Sequence, residues 1–398
     1  MSAARRAAPM IQPGRSNHAA FMYNNILYAW GGYKVVSGEN ESLPSDEIWL
    51  CNLDTMTWER REIFGEKLPD LSGFCGSHLS GSLYVFGGCD RFEYTNKMFS
   101  LDLGQERYVW KRVTGTRGAM PFPRIKHSCW VHRHRLIYFG GYGFKTMTQN
   151  TSLQSFIVEE MSWKSIGNSL FMCWGWNNET HVFDTGTATW SVPETRGSVP
   201  SPRACHGSAV LGNKGYISGG QKIAELDMFC LDFETWTWTR LGISETRAPP
   251  GCCMFTMTPI SDHTLFIYGG LSIDGHTLNE ALQFDTLKSK WTRMAHPHKD
   301  KPRACHTACM GSDSDVVVFG GSSNTLFVNS ESALKSVPQH NYSDMFIFQT
   351  QPYSLFRLCE DFIRKNPALF EKQLNRMPSI LCRKINGPFK NLQLRRDF

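Results

Sequence analysis

Short apolar runs of three to five residues recur along this chain, and each ends in a pair of glycines. Leu27–Trp30 precedes Gly31-Gly32, Leu83–Phe86 precedes Gly87-Gly88, and Leu136–Phe139 precedes Gly140-Gly141. Tyr216–Ser218, Leu265–Tyr268 and Val316–Phe319 stand before Gly219-Gly220, Gly269-Gly270 and Gly320-Gly321 in the same way. Each run is too short for a helix, is rich in β-branched and aromatic residues and is closed by glycine, so each predicts a buried β-strand. A second mark follows most pairs: a turn and then a tryptophan, at Trp58, Trp110, Trp190, Trp238 and Trp291. A third precedes several units, the dipeptides Pro123-Arg124, Pro202-Arg203 and Pro302-Arg303, the last two inside an identical Pro-Arg-Ala-Cys-His string ending at His206 and His306.

The first glycines of the pairs are 56, 53, 79, 50 and 51 residues apart. A period near 50 residues with about four short strands per unit is that of a β-propeller. Six pairs imply six blades, with the apolar run as the inner strand of each, buried on both faces between neighbours. The tryptophans supply apolar area between adjacent blades. The third unit carries some 25 residues of excess between Gly143 and Trp176 (an order-of-magnitude comparison with its neighbours), a long connection of the kind that tends to carry function. The sixth unit lacks a Trp-bearing strand and offers only Asp344–Phe348, so the segment around Ala19–Tyr28 is a candidate to pair with it and close the ring.

The strand pattern stops after Gln351. Ser354 is placed to cap a helix, and Leu355, Cys359, Phe362 and Ile363 fall on one helical face. Asn366-Pro367 opens a second helix, whose apolar stripe Phe370, Leu374, Met377 and Leu381 is interrupted by Pro378. So short a segment cannot bury a core of its own. It either packs on the propeller or docks into a partner's groove. The organisation read from the pattern is a tail at 1–14, a propeller at 15–350 and a helical segment at 351–398.

Composition narrows the chemistry. The 398 residues hold 42 Lys/Arg and 36 Asp/Glu. The surplus of six lies entirely in residues 351–398, which hold ten basic and four acidic residues, and the propeller is left neutral. A general nucleic-acid binder is not indicated. No apolar stretch suits a membrane span, and the start lacks the apolar core of a secretory signal. The 13 cysteines are then expected as reduced thiols in cytosol or nucleus. Cys252-Cys253 and Cys305-His306-x-x-Cys309 invite a metal reading, but small buried apolar residues in repeat positions explain them better. No catalytic triad and no phosphate-binding glycine loop is present, so no cofactor and no metal is expected.

These strings resemble a known family. Residues 15–350, with Trp30-Gly-Gly-Tyr33, Tyr138-Phe-Gly-Gly-Tyr-Gly143 and Phe346-Ile-Phe-Gln-Thr-Gln-Pro-Tyr-Ser-Leu355, are similar to the kelch domain-containing proteins of the type 1 and 2 subgroup. The resemblance implies an all-β, six-bladed kelch propeller followed by a helical tail. Its functional implication is a non-catalytic substrate receptor of a cullin-RING ubiquitin ligase. Ser354, Leu355, Cys359 and Ile363 match the elongin-binding box, and Met377, Pro378, Leu381 and Ile385 resemble a cullin box of the cullin-2 kind, with Ile380 where the cullin-5 kind prefers proline. The implied partners are elongin B/C, cullin-2 or cullin-5 with its RING protein, and a degron, with neither nucleic acid nor membrane.

In the subgroup the propeller mouth holds a C-terminal glycine by its carboxylate, and Lys126, Tyr142 and Trp176 match pocket positions. The chain departs elsewhere: Gln221 stands where an arginine follows the fourth glycine pair, Cys252-Cys253-Met254 replaces Arg-Ser-Trp, and Cys305 replaces an aromatic. A buried carboxylate needs paired, charge-assisted donors, so these replacements argue against recognition of a diglycine end. A kelch scaffold without a ligase role is the alternative, and an enzyme on a propeller scaffold is the weakest reading.

Overall fold

A computed structural model of the chain describes residues 12–37, 39–90, 93–147, 155–164, 170–221, 223–242, 248–311, 314–323, 340–352, 355–366 and 369–370. Nearly all regular structure is β. Five antiparallel four-stranded units and one three-stranded unit follow one another, each centred on a glycine-ended run. Blade one comprises Ala19–Tyr23, Ile26–Trp30, Glu47–Asn52 and Thr57–Gly65. Blades two to five begin at Cys75–Leu79, Ser128–His132, Gly207–Leu211 and Thr256–Pro259. Blade six holds Thr307–Met310, Val316–Phe319 and Met345–Phe348 among the described residues.

The first strands of the six blades pack against one another in order, and the sixth packs on the first, which closes the ring. This corrects the strand assignment. The innermost strand is the one before each glycine-ended run, and the run itself is the second strand. The misreading has a physical cause, because apolar density peaks on the second strand. That strand is sandwiched between neighbours on both faces: Leu83, Val85 and Phe86 are fully buried, as are Leu136 to Phe139 and Leu265 to Phe266. The first strands face the axis with smaller and more polar residues, among them Ser77, Ser128 and Thr256.

The tryptophans work between blades. Trp58 packs on Phe319 of blade six at 5.0 Å, Trp110 on Trp30 at 5.0 Å, Trp190 on Phe86 at 5.2 Å and Trp238 on Phe139 at 5.0 Å. Closure also differs from the sequence expectation. Ala19–Tyr23 pairs with Ile26–Trp30 inside blade one, not with blade six. The ends are joined by the residues just before it. Gln12 donates to the Ser343 carbonyl at 2.5 Å, Gly321 N–H donates to the Arg15 carbonyl at 2.8 Å, and Asn341 donates to the Ser16 hydroxyl at 2.7 Å.

The Pro-Arg element is an interblade clamp. The carbonyl of Arg124 accepts the N–H of Gly88 in the preceding blade at 2.9 Å, while its guanidinium donates to the Gly140 carbonyl of its own blade at 3.1 Å. Arg203 repeats this with Gly141 and Gly219, Arg303 with Gly270 and Gly320, and Arg15 with Gly321 and Gly31. A carboxylate completes three clamps: Glu179 with Arg124, Asp227 with Arg203, and Asp344 with Arg303, all at 2.9–3.1 Å. The first glycine of a pair has to lack a side chain here. At Gly269 the φ is +65° and a Cβ would stand 2.4 Å from the Arg303 carbonyl.

At three of the four clamps the histidine that follows hydrogen-bonds a hydroxyl of the preceding blade. His206 meets Ser128 at 2.8 Å, His306 meets Thr256 at 2.9 Å and His18 meets Thr307 at 2.9 Å. Burial first, and then the neighbouring arginine, pushes these imidazoles down, His206 and His306 to about 3 and His18 well below its ordinary value. His127 is lowered in the same way.

Beyond blade six lies the helix Leu355–Lys365. Ser354, Pro367, Met377, Pro378, Leu381 and Ile385 lie outside the described residues. No helix among the described residues is long and apolar enough to cross a membrane.

Two outcomes follow. The unfolded chain protonates these histidines near pH 6.5 and the folded chain does not, so their contribution is full above that pH and is lost as pH falls toward 3. Each is worth about 1.4 kcal/mol per pH unit in that window. Urea denaturation at pH 7.5 and 5.5 should show a marked loss at the lower pH, reduced in His206→Gln with His306→Gln. Separately, Arg203→Met leaves Asp227 and the Gly219 carbonyl without their buried partner and should lower stability by about 3–5 kcal/mol, read from the same denaturation curves.

Candidate functional site at the propeller mouth

One residue per blade sits at the mouth of the central channel in the left-handed backbone region. These are Asn17, Gly73, Lys126, Cys205, Met254 and Cys305, with φ between 52° and 66°. Each stands two residues after the arginine of its repeat, or after Leu71 and Cys252 in the two blades that lack one. Their main chains bond to one another around the axis. Lys126 N–H donates to the Gly73 carbonyl at 2.7 Å, Cys205 to Lys126 at 3.0 Å, Met254 to Cys205 at 2.9 Å, Cys305 to Met254 at 3.0 Å and Asn17 to Cys305 at 3.0 Å. A left-handed conformation is costly for a side-chain-bearing residue, and here these bonds hold it.

The side chains on this frame are mostly apolar. Cys205, Cys253, Met254, Leu271 and Cys305 form a buried cluster with Trp176, against which Tyr142 packs. The Cys305 and Met254 sulfurs are 3.3 Å apart. Burial pushes the thiols up, Cys205 to about 11 and Cys305 above its ordinary value, against the opposing pull of Lys126. They are therefore neutral. Lys126 is the only charged member of the six, and its ammonium donates across the channel to the Asn17 amide oxygen.

The excess of the third unit is a sheet. Tyr142–Met147, Leu170–Asn177 and Phe156–Lys164 lie side by side, with Arg124–Ile125 on the near edge. In this register Ile125 pairs with Tyr142, and Tyr142 with Trp176. The arm thus brings Lys126, Tyr142 and Trp176 together, with the last two rings 5.4 Å apart. The Trp176 indole N–H donates to the Gln221 side-chain oxygen at 3.2 Å. Gln221 fills the position where the resemblance implies an arginine. The four clamp arginines do not substitute for it, because each is at most 1% exposed. Among the described residues no three His, Cys, Asp or Glu side chains converge to hold a metal ion.

Sequence reasoning missed the six-residue frame. Its signal is mainly positional, the second residue after the arginine in the four repeats that have one; Asn17 and Gly73 favour a left-handed turn, but lysine, cysteine and methionine carry no such signature.

With this geometry the comparisons are direct. The profile of the KLHDC2/KLHL20/DRC7 Kelch-repeats domain matches residues 17–170 and 173–321. The chain belongs to that kelch-repeat family. It is 40% identical over 377 residues to "Kelch domain-containing protein 1" of Homo sapiens, covering 93% of this chain and 89% of the relative. It is 34% identical over 381 residues to "Kelch domain-containing protein 2" of Homo sapiens, covering 94% and 90%. These relatives support a kelch-repeat protein-interaction role for the chain.

The left-handed frame sets an expectation. Lys126→Gly keeps the backbone and should leave the melting temperature within a few degrees of the parent, a change of about 1 kcal/mol or less. Cys305→Val puts a β-branched side chain in a left-handed conformation and should destabilise by about 1–3 kcal/mol. Parallel thermal melts of the two variants decide this.

Proposed function

We propose that this chain is a non-catalytic substrate-recognition subunit of a cullin-RING ubiquitin ligase. The propeller mouth binds a peptide segment of the target, and the helical tail docks elongin B/C and a cullin. The observation that carries the reading is the helix directly after the last blade. Leu355 is 78% exposed, Leu358 51% and Phe362 56%, and Cys359 is exposed beside them. An apolar helical face left in solvent suits a groove on a partner, and its Leu355-x-x-x-Cys359-x-x-x-Ile363 spacing matches the elongin-binding box. Each apolar knob is worth roughly 1–3 kcal/mol when buried in such a groove. The cullin box at Met377, Pro378, Leu381 and Ile385 supports the reading from sequence alone.

Among the described residues of the ring, one lysine and a sulfur-lined floor stand where the resemblance implies paired arginines gripping a carboxylate. Terminal glycine is therefore not the feature this mouth selects.

Two outcomes follow. The full chain should retain purified elongin B/C in a pull-down, and Leu355→Asp with Cys359→Asp should abolish retention while leaving the melting temperature unchanged; failure of the parent chain to bind sinks the ligase reading. A library of random peptide C-termini presented to the full chain should show no enrichment of terminal glycine, and strong enrichment would overturn the conclusion drawn from Gln221 and Met254.

A further inference from the structure

The repeat pattern defines a gap on the outer rim of the ring. At three seams the connector leaving one blade runs parallel to the outermost strand of the next, with a glycine opposite that strand's tryptophan. Gly65 pairs with Trp110 and Gly197 with Trp238, while Arg117, next to Gly118, pairs with Thr189, next to Trp190. The three glycines have φ between +81° and +92°, and a Cβ on any of them would collide with the tryptophan carbonyl. The following residue closes two of these seams. Glu66 N–H donates to the Trp110 carbonyl at 3.1 Å, and Ser198 N–H donates to the Trp238 carbonyl at 2.9 Å.

The seam between blades four and five lacks both devices. The string Glu194-Thr-Arg-Gly197-Ser198 recurs there as Glu245-Thr-Arg-Ala248-Pro249. Alanine replaces the residue that a positive φ calls for. Proline has no N–H, so the Trp291 carbonyl cannot receive from Pro249 the bond that Trp238 receives from Ser198. Other bonds hold this connector on the blade-four side: Leu226 N–H donates to the Pro249 carbonyl at 3.0 Å, and Gly251 N–H donates to the Ala224 carbonyl at 2.9 Å. Among the described residues nothing pairs with the outer edge of Lys290–Arg293. A cavity of about 640 Å³ lies at this edge, lined by Ala248, Pro249, Leu282, Trp291, Thr292 and Arg293. Its size is that of a ligand pocket.

We propose that this edge docks an extended segment of a partner protein, added as a parallel strand along Lys290–Arg293. A glycine of that segment lies opposite Trp291, and the N–H of the next residue donates to the Trp291 carbonyl. The chemistry of the occupant is read from the chain's own connectors, which fill the same place at three other seams. An open strand edge supplies main-chain bonds and a cavity beside it takes side chains, the two components of recognition by strand addition. The surface lies on the outermost strand of a blade, away from the mouth and the tail, and does not depend on the ligase reading.

The test uses the purified full chain and a fluorescent peptide with the chain's own connector sequence, Val192–Val199, followed by anisotropy. Saturable binding is expected. The same peptide methylated on the nitrogen that matches Ser198 has no N–H for the Trp291 carbonyl and should bind about tenfold more weakly. On the protein side, Ala248→Gly with Pro249→Ser restores the glycine and the N–H. This variant should fill its own edge, melt no lower than the parent and bind the peptide at least about tenfold more weakly. Equal binding of the plain and methylated peptides, equal binding by the variant and the parent, or no binding by the parent at millimolar peptide each overturns the proposal. If the variant does not fold, the methylated peptide decides alone.

Discussion

The propeller depends on the arginine clamp. A blade exposes an apolar face on each side and is stable only against its neighbours, yet apolar packing alone does not fix how two blades are aligned. The clamp does. One residue uses its carbonyl on the blade behind and its guanidinium on its own blade, so that a displacement between blades breaks main-chain and side-chain bonds together. Burying a guanidinium is costly: Arg124 is pushed down to about 10 by desolvation, against the opposing pull of Glu179. The cost is offset most fully at Arg124 and Arg203, where every guanidinium nitrogen has a partner, and three of the four clamps end on a carboxylate; Arg15 leaves Nε and one terminal nitrogen unpaired and Arg303 its Nε. Blades two and five do without an arginine; blade five keeps the main-chain half of the clamp, with the Cys252 carbonyl accepting the Gly220 N–H at 3.0 Å, and Phe74 and Phe255 pack in the clusters at these two seams.

The clamp also determines what is left for function. The repeat arginines are consumed inside the ring. Among the six ring positions two residues after the clamps, only Lys126 carries a charge. The described residues of the mouth present an apolar, sulfur-lined floor, the Lys126 ammonium and a projecting aromatic arm.

Much of this was legible in the residues. Six glycine pairs gave the blade count, because a tight turn against a neighbouring carbonyl admits little else. The length of the third unit marks the arm, and the family resemblance points to Lys126, Tyr142 and Trp176, which the register of the arm brings together. What was hidden has physical reasons. The second strand was mistaken for the first because apolar density follows burial on two faces, not nearness to the axis. The arm did not read as strands, since the bulge at Glu159 breaks the alternation of Phe156–Lys164. Ring closure by Gln12 to Ser16 lies in polar residues whose bonds reach more than 300 positions along the chain, beyond any local pattern.

The main chain of the mouth is hydrogen-bonded to itself, so its six side chains sit on a frame indifferent to what they are. Asparagine, glycine, lysine, cysteine and methionine already share one backbone shape there. A frame of this kind uncouples the evolution of specificity from the maintenance of the fold. Where a ring side chain is not part of the buried cluster of Cys205, Met254 and Cys305, it can be changed, short of β-branching, without breaking the frame that carries it.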